Sequence, residues 1–186
     1  MLKPEGPSHA ALAGAHWRFA VDFYARPGIS EACLLLQDRI GVDVPILLFA
    51  LFLAKEHGIV LEQGDLARLD GLVRAWRDEV IWPLRRVRRR LKSGPYPAPG
   101  KASAPLLQQL QGAEILAEQI ELATLALAFE AKSGAGRWAG NEGALVLGRV
   151  SQFFATRANV IDALASPEIG AALERIAEAL ARPSAT

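Results

Sequence analysis

Residues 74–92 read RAWRDEVIWPLRRVRRRLK and hold eight basic side chains against two acidic ones. Turned at roughly 100° per residue, Arg74, Arg77, Arg85, Arg88, Arg89 and Lys92 fall on one strip about 120° wide, while Leu69, Val73, Trp76, Val80, Leu84, Val87 and Leu91 mark another face. The stretch therefore reads as an amphipathic helix with a cationic stripe. Beyond the linker SGPYPAPGKAS, residues 93–103, comes a second helical pattern in which Glu114, Glu118 and Glu121 share one side at i, i+4 and i+7. Like charges so spaced disfavour an isolated helix by roughly 0.2–0.5 kcal/mol, and burying them unpaired costs far more. Something positive should face them, and a linker of eleven residues permits an antiparallel return that brings the arginines across. Guanidinium forks suit carboxylates because two parallel N–H groups match two oxygens. A hairpin of two long helices held by an ion-pair seam is the leading expectation. A solvated charged face and a ligand site are the alternatives.

Outward from this hairpin the remaining pattern is also helical. Residues 1–8 read as a flexible tail and 9–182 as a single helical domain. A first helix is expected over His9–Ala25, with Trp17, Ala20, Val21 and Tyr24 on its apolar side, and Arg26-Pro27-Gly28 turns the chain. Ser30 is the expected N-cap of a second helix, Glu31–Ile40, with Gly41 as its stop. Asp43 can cap a third helix, where Pro45 in the first turn costs little because the early N–H groups have no partner within the helix. Asp65 is expected to open the long basic helix, which Pro83 should bend. The next helix, Ala104–Lys132, is apolar nearly all round and is read as central. The glycine-rich GAGRWAGN at 134–141 breaks the chain before helices over Glu142–Arg157 and Pro167–Ala181, the last capped by Ser166. No strand alternation stands out. The fold class is all-α, a single-domain irregular bundle of about seven helices around a central antiparallel hairpin.

At 186 residues, 51% apolar and 22% charged, the chain has one domain's worth of core. Its net charge of +1 is a cancellation between +6 over residues 74–92 and −5 over the rest, so the whole chain gives no case for nucleic acid. A lone cysteine, Cys33, fits a reducing compartment. No basic segment followed by an apolar run and a cleavage site opens the sequence, and the longest apolar run, Val44–Ala54, is too short to span a bilayer. A cytoplasmic location follows as the expectation, with that run as a buried core helix.

Familiar catalytic sets are missing. Di-metal carboxylate bundles need Glu-x-x-His pairs, but only His9, His16 and His57 occur and none completes such a pair. GAGRWAGN lacks the order of a phosphate loop, there is no G-x-S-x-G, and Cys33 lies within an apolar helix. No metal and no cofactor are expected. Arg86 and Arg90 fall off the main strip and could face an anionic partner while Arg85 and Arg89 pair inward.

Residues 17–54, WRFAVDFYARPGISEACLLLQDRIGVDVPILLFALFLA, resemble the signature of an uncharacterised, mainly proteobacterial all-helical family, a domain of unknown function. Tyr24, Arg26-Pro27-Gly28, Cys33, Leu34, Leu36-Gln37-Asp38, Asp43 and Leu47-Leu48-Phe49-Ala50 carry the likeness. WRDEVIWPLRRVRRRLK and GAEILAEQIE extend it to about residue 125. At Pro45 and Phe52 the resemblance implies asparagine and tryptophan instead. It imports no activity, but it implies that Arg26, Gln37, Asp38, Arg39 and Asp43 gather near the turns joining the first three helices. Local capping and pairing is the favoured account of these residues.

The candidate polar cluster is thus Arg26, Asp38, Asp43, Arg85, Arg89, Glu114, Glu118 and Glu121, with Arg86 and Arg90 as the candidate face for an anionic partner. The expected role is that of a regulatory or scaffolding element binding a protein partner. Nucleic acid is disfavoured, peripheral membrane contact is allowed, and the oligomeric state stays open. The rival is an enzyme or small-molecule carrier with an interior cleft lined by the Arg and Glu side chains.

Overall fold

The computed structural model of the chain describes residues 6–129 and 142–182. Every regular element among them is helical: α1 His9–Leu12, α2 Ala15–Tyr24, α3 Ile29–Ile40, α4 Val44–His57, α5 Gln63–Trp76, a wide π turn Arg77–Ile81, α6 Trp82–Ser93, α7 Ala104–Phe129, α8 Glu142–Arg157, a 3-10 turn Ile161–Ala165 and α9 Pro167–Ala181. The expected all-α bundle is what the chain forms. The glycine-rich break at 134–141, the end of the long helix beyond Phe129 and the first five residues of the tail lie outside the described residues.

Local chemistry sets most of the boundaries. Asp43 opens α4, its Oδ1 accepting from the Ile46 N–H at 2.9 Å. Gly41, at φ +70°, closes α3 in the left-handed conformation that lets its N–H reach the Gln37 carbonyl. Five expectations shift. Ser8 caps α1 through the Ala11 N–H and belongs to the fold, and Gly14 breaks the expected first helix in two. Ser30 does not cap α3; its hydroxyl donates to Glu31, and the cap is Gly28 at φ +76°. A Cβ on Gly28 would also lie 2.8 Å from the Arg175 side chain. Asp65 does not open α5; it sits in the first turn and accepts from the Glu62 N–H at 3.4 Å. In α2 Ala20 is buried as expected, together with His16 and Phe23, while Val21 is exposed.

The centre is α4, not the longer helix expected there. Every residue from Val44 to Ala54 is buried, and α2, α3, α7 and α8 pack around it. Its Leu47, Phe49 and Leu51 join Leu66 and Leu69 of α5, Leu122 and Leu125 of α7, Phe154 of α8 and Ile176 of α9 in one core. The first half of α7 extends past this core, which is why Leu106, Ile115 and Leu116 remain exposed. Against it lies α6, running antiparallel and packed on α7 and the preceding π turn. The two form a side arm whose root is continuous with the core.

Candidate functional site

Pro83 lacks an N–H and its ring crowds the carbonyl four residues back, so a regular helix cannot run through it. The chain absorbs this in the wide turn Arg77–Ile81, where the Trp82 N–H bonds to the Arg77 carbonyl five residues earlier. The extra residue shifts the register of everything beyond it, and Arg85 and Arg88 are brought onto α7. Arg85 donates to Glu114 Oε1 at 3.1 Å, Glu118 Oε1 at 2.5 Å and Gln37 Oε1 at 2.5 Å. Arg88 Nε donates to Glu114 Oε2 at 2.5 Å. The Trp76 indole N–H, bonded to the Ala117 carbonyl at 3.0 Å, fastens the root of the arm. Burial pushes the Glu118 carboxyl above its ordinary value, against the pull of the Arg85 charge.

Beneath this seam lies a second, drier network. Arg77 Nη1 donates to Asp43 Oδ2 at 2.8 Å and its Nη2 to Asp70 Oδ1 at 2.6 Å. Asp70, with none of its side chain exposed, also accepts from Arg74 at 2.7 Å and from Arg157 of α8. One carboxylate therefore holds three guanidinium groups. Burial alone would raise Asp70, but hydrogen bonds from Arg74 and Arg77 and the charges of Arg77 and Arg157 outweigh it and hold it low. Asp70, Arg74 and Arg77 stand at i, i+4 and i+7, the spacing that singled out the glutamates, so this signal was present in the sequence. Nothing local to Asp70 indicates Arg157, 87 residues away in the chain.

Glu121 is only 1% exposed, and neither of its oxygens has a hydrogen-bond partner among the described residues. Burial first, then the negative charges of Asp43 and Glu118 against the pull of Arg77 and Arg85, push its carboxyl up to about 9. It is neutral near pH 7.

The other expected members of the cluster go elsewhere. Arg26 donates to the Ala179 carbonyl at 2.5 Å and caps the end of α9, where a cation suits the last carbonyls. Asp38 is exposed, and its neighbour Arg39 pairs across the surface with Glu168 at 3.0 Å. Arg89 points outward, because the inner face of α6 runs through Leu84, Arg85, Arg88 and Leu91. Arg86 is exposed as expected. Arg90 reaches back over the linker to the carbonyls of Tyr96 and Ala98, at 3.4 and 3.5 Å.

Chemically, Arg85, Arg88, Glu114 and Glu118 clamp one helix to another, while Arg77 ties Asp43 at the head of α4 to Asp70 of α5, which in turn holds Arg157 of α8. Of three surface concavities among the described residues, none is lined by Asp43, Arg85, Glu114, Glu118 or Glu121. Glu118→Ala is therefore expected to cost about 1–3 kcal/mol in urea denaturation, less than loss of a fully buried pair, since Arg85 keeps Glu114 and Gln37. An unchanged midpoint would remove the seam from the account of stability.

A helical bundle with a clamped two-helix arm and an internal arginine–carboxylate network is the class these features define. The chain belongs to the family described as "Protein of unknown function (DUF2390)", which matches residues 15–125 and so takes in every acid of both networks. No curated protein and no solved structure matches the chain. Among the described residues, no helix is long and apolar enough to cross a membrane.

Proposed function

We propose that the chain is a cytoplasmic bacterial protein that binds an acidic protein partner through the outer face of α6, as a regulatory or scaffolding element. The observation that carries this reading is the one-sided use of that helix. None of its residues is buried, and beyond the π turn it packs against α7. Its inward arginines are neutralised by Glu114 and Glu118, whereas Arg86 and Arg89 have no carboxylate partner among the described residues. Trp82, 51% exposed, stands beside Arg86 on the same strip. An exposed aromatic among arginines is the composition enriched where proteins meet. Surplus positive charge favours an acidic counterpart and speeds its encounter.

The test compares the wild-type chain with the double variant Arg86→Glu, Arg89→Glu. Cross-linking in native cells should recover an acidic protein on the wild type and lose it on the variant, with the thermal midpoint unchanged and recovery falling as salt rises. Recovery of every partner by the variant would refute the reading. Binding to anionic phospholipid vesicles or to a single-stranded oligonucleotide, with no protein captured, would refute it too.

A further inference from the structure

On the opposite side of α5 from the arm, a concavity of about 470 Å³ is lined by Gln63, Ala67, Arg74, Gln152, Phe153, Thr156 and Arg157. We infer that it is a binding site for a small, ring-bearing organic phosphate. Arg74 and Arg157 both anchor on the buried Asp70, yet their side chains remain 49% and 33% exposed. Each guanidinium has five N–H groups and spends few of them on that carboxylate, so each keeps donors for a ligand. Their tether fixes them before any ligand arrives, which lowers the ordering cost of binding.

The charge count around the site is unbalanced. Arg74 and Arg157 share one carboxylate, Asp70, which Arg77 also engages, and no carboxylate lines the concavity itself. Exposed Gln152 and Thr156 add an amide and a hydroxyl. A carboxylate offers two oxygens in one plane. A phosphate monoester offers three terminal oxygens, enough to engage two forks and a hydroxyl together. Phe153 and Ala67 supply an apolar wall, so a flat ring attached to the phosphate has somewhere to lie. The site lies on α5 and α8, apart from the α6 face, and stands or falls independently of the proposed partner.

The experiment is a titration of the full chain with phenyl phosphate, followed by amide NMR shifts and by thermal midpoint, alongside inorganic phosphate and benzoate. Saturable one-to-one binding is expected, with shifts clustered at Arg74, Gln152, Thr156 and Arg157 and a rising midpoint. Inorganic phosphate should bind the same residues more weakly, and benzoate more weakly than phenyl phosphate. The double variant Arg74→Lys, Arg157→Lys keeps a cation on each side of Asp70 but loses both forks, and should weaken phenyl phosphate on the order of tenfold while remaining folded. The variant Thr156→Ala, which leaves the Asp70 network untouched, should weaken it by a smaller factor. Absence of saturable binding at millimolar ligand, shifts centred on α6, or equal affinity in both variants would each overturn the inference.

Discussion

Arg77→Met is expected to lower the unfolding free energy by about 3–5 kcal/mol. Arg77 is buried, and so are both carboxylates it serves. Its removal leaves Asp43 with the α4 cap but no ion-pair partner, in a setting where an unpaired charge is costly. Asp70 fares better, because Arg74 and Arg157 remain. The asymmetry yields a check within the same experiment. Adding Asp43→Asn to Arg77→Met should recover part of the loss, since it removes the stranded charge and keeps an oxygen for the Ile46 N–H. A urea midpoint for Arg77→Met equal to that of the wild type would show that the network contributes nothing to stability.

Glu121→Gln should act in the opposite direction, stabilising the fold by about 2–3 kcal/mol at pH 7. In the unfolded chain this carboxyl ionises near its ordinary value of 4.5, whereas in the folded protein it holds its proton up to about 9. The folded state therefore binds more protons than the unfolded state between those limits. Its contribution to stability is full below the lower value, falls as pH rises through the interval and levels off above the upper one. Glutamine keeps the shape and cannot ionise in the unfolded chain, so the variant should lose that slope. Denaturation at a series of pH values measures both quantities. A variant less stable than the wild type at pH 8, or one with the same slope, would show that the wild-type residue is ionised and paired inside the protein.

Much of the helical order was legible because single residues decide it. Asp43, Gly41 and Pro167 fix element ends through backbone groups that have no other partner, and such signals survive any tertiary arrangement. The pairing of Arg85 with Glu114 and Glu118 was legible for a related reason, since acids on a greasy helix need cations and the neighbouring helix supplies them. What misled was the assumption of constant pitch. A helical wheel drawn straight through Arg77–Ile81 accumulates a phase error at the wide turn, which put Arg89 inside and left Arg77 on the same stripe as Arg85. Composition misled about the centre as well. Helix α7 is the longest of the described helices and apolar nearly all round, but part of it extends beyond anything that could cover it, while the shorter and more apolar α4 is enclosed on every side. It is the family resemblance that implies a cluster of Arg26 and Asp38 with Asp43 near the first turns. The Arg26 and Asp38 side chains answer to α9 and to the surface, which no local pattern announces.

The handclasp between Asp70 and Arg157 crosses a border that the family match does not. That match stops at residue 125, yet α8 lies along α4 and α9 along α3, beyond the matched stretch. In this chain the matched stretch is thus smaller than what must assemble. Cut off after residue 125, it would open the flanks of α3 and α4 to water and leave Asp70 one cation short.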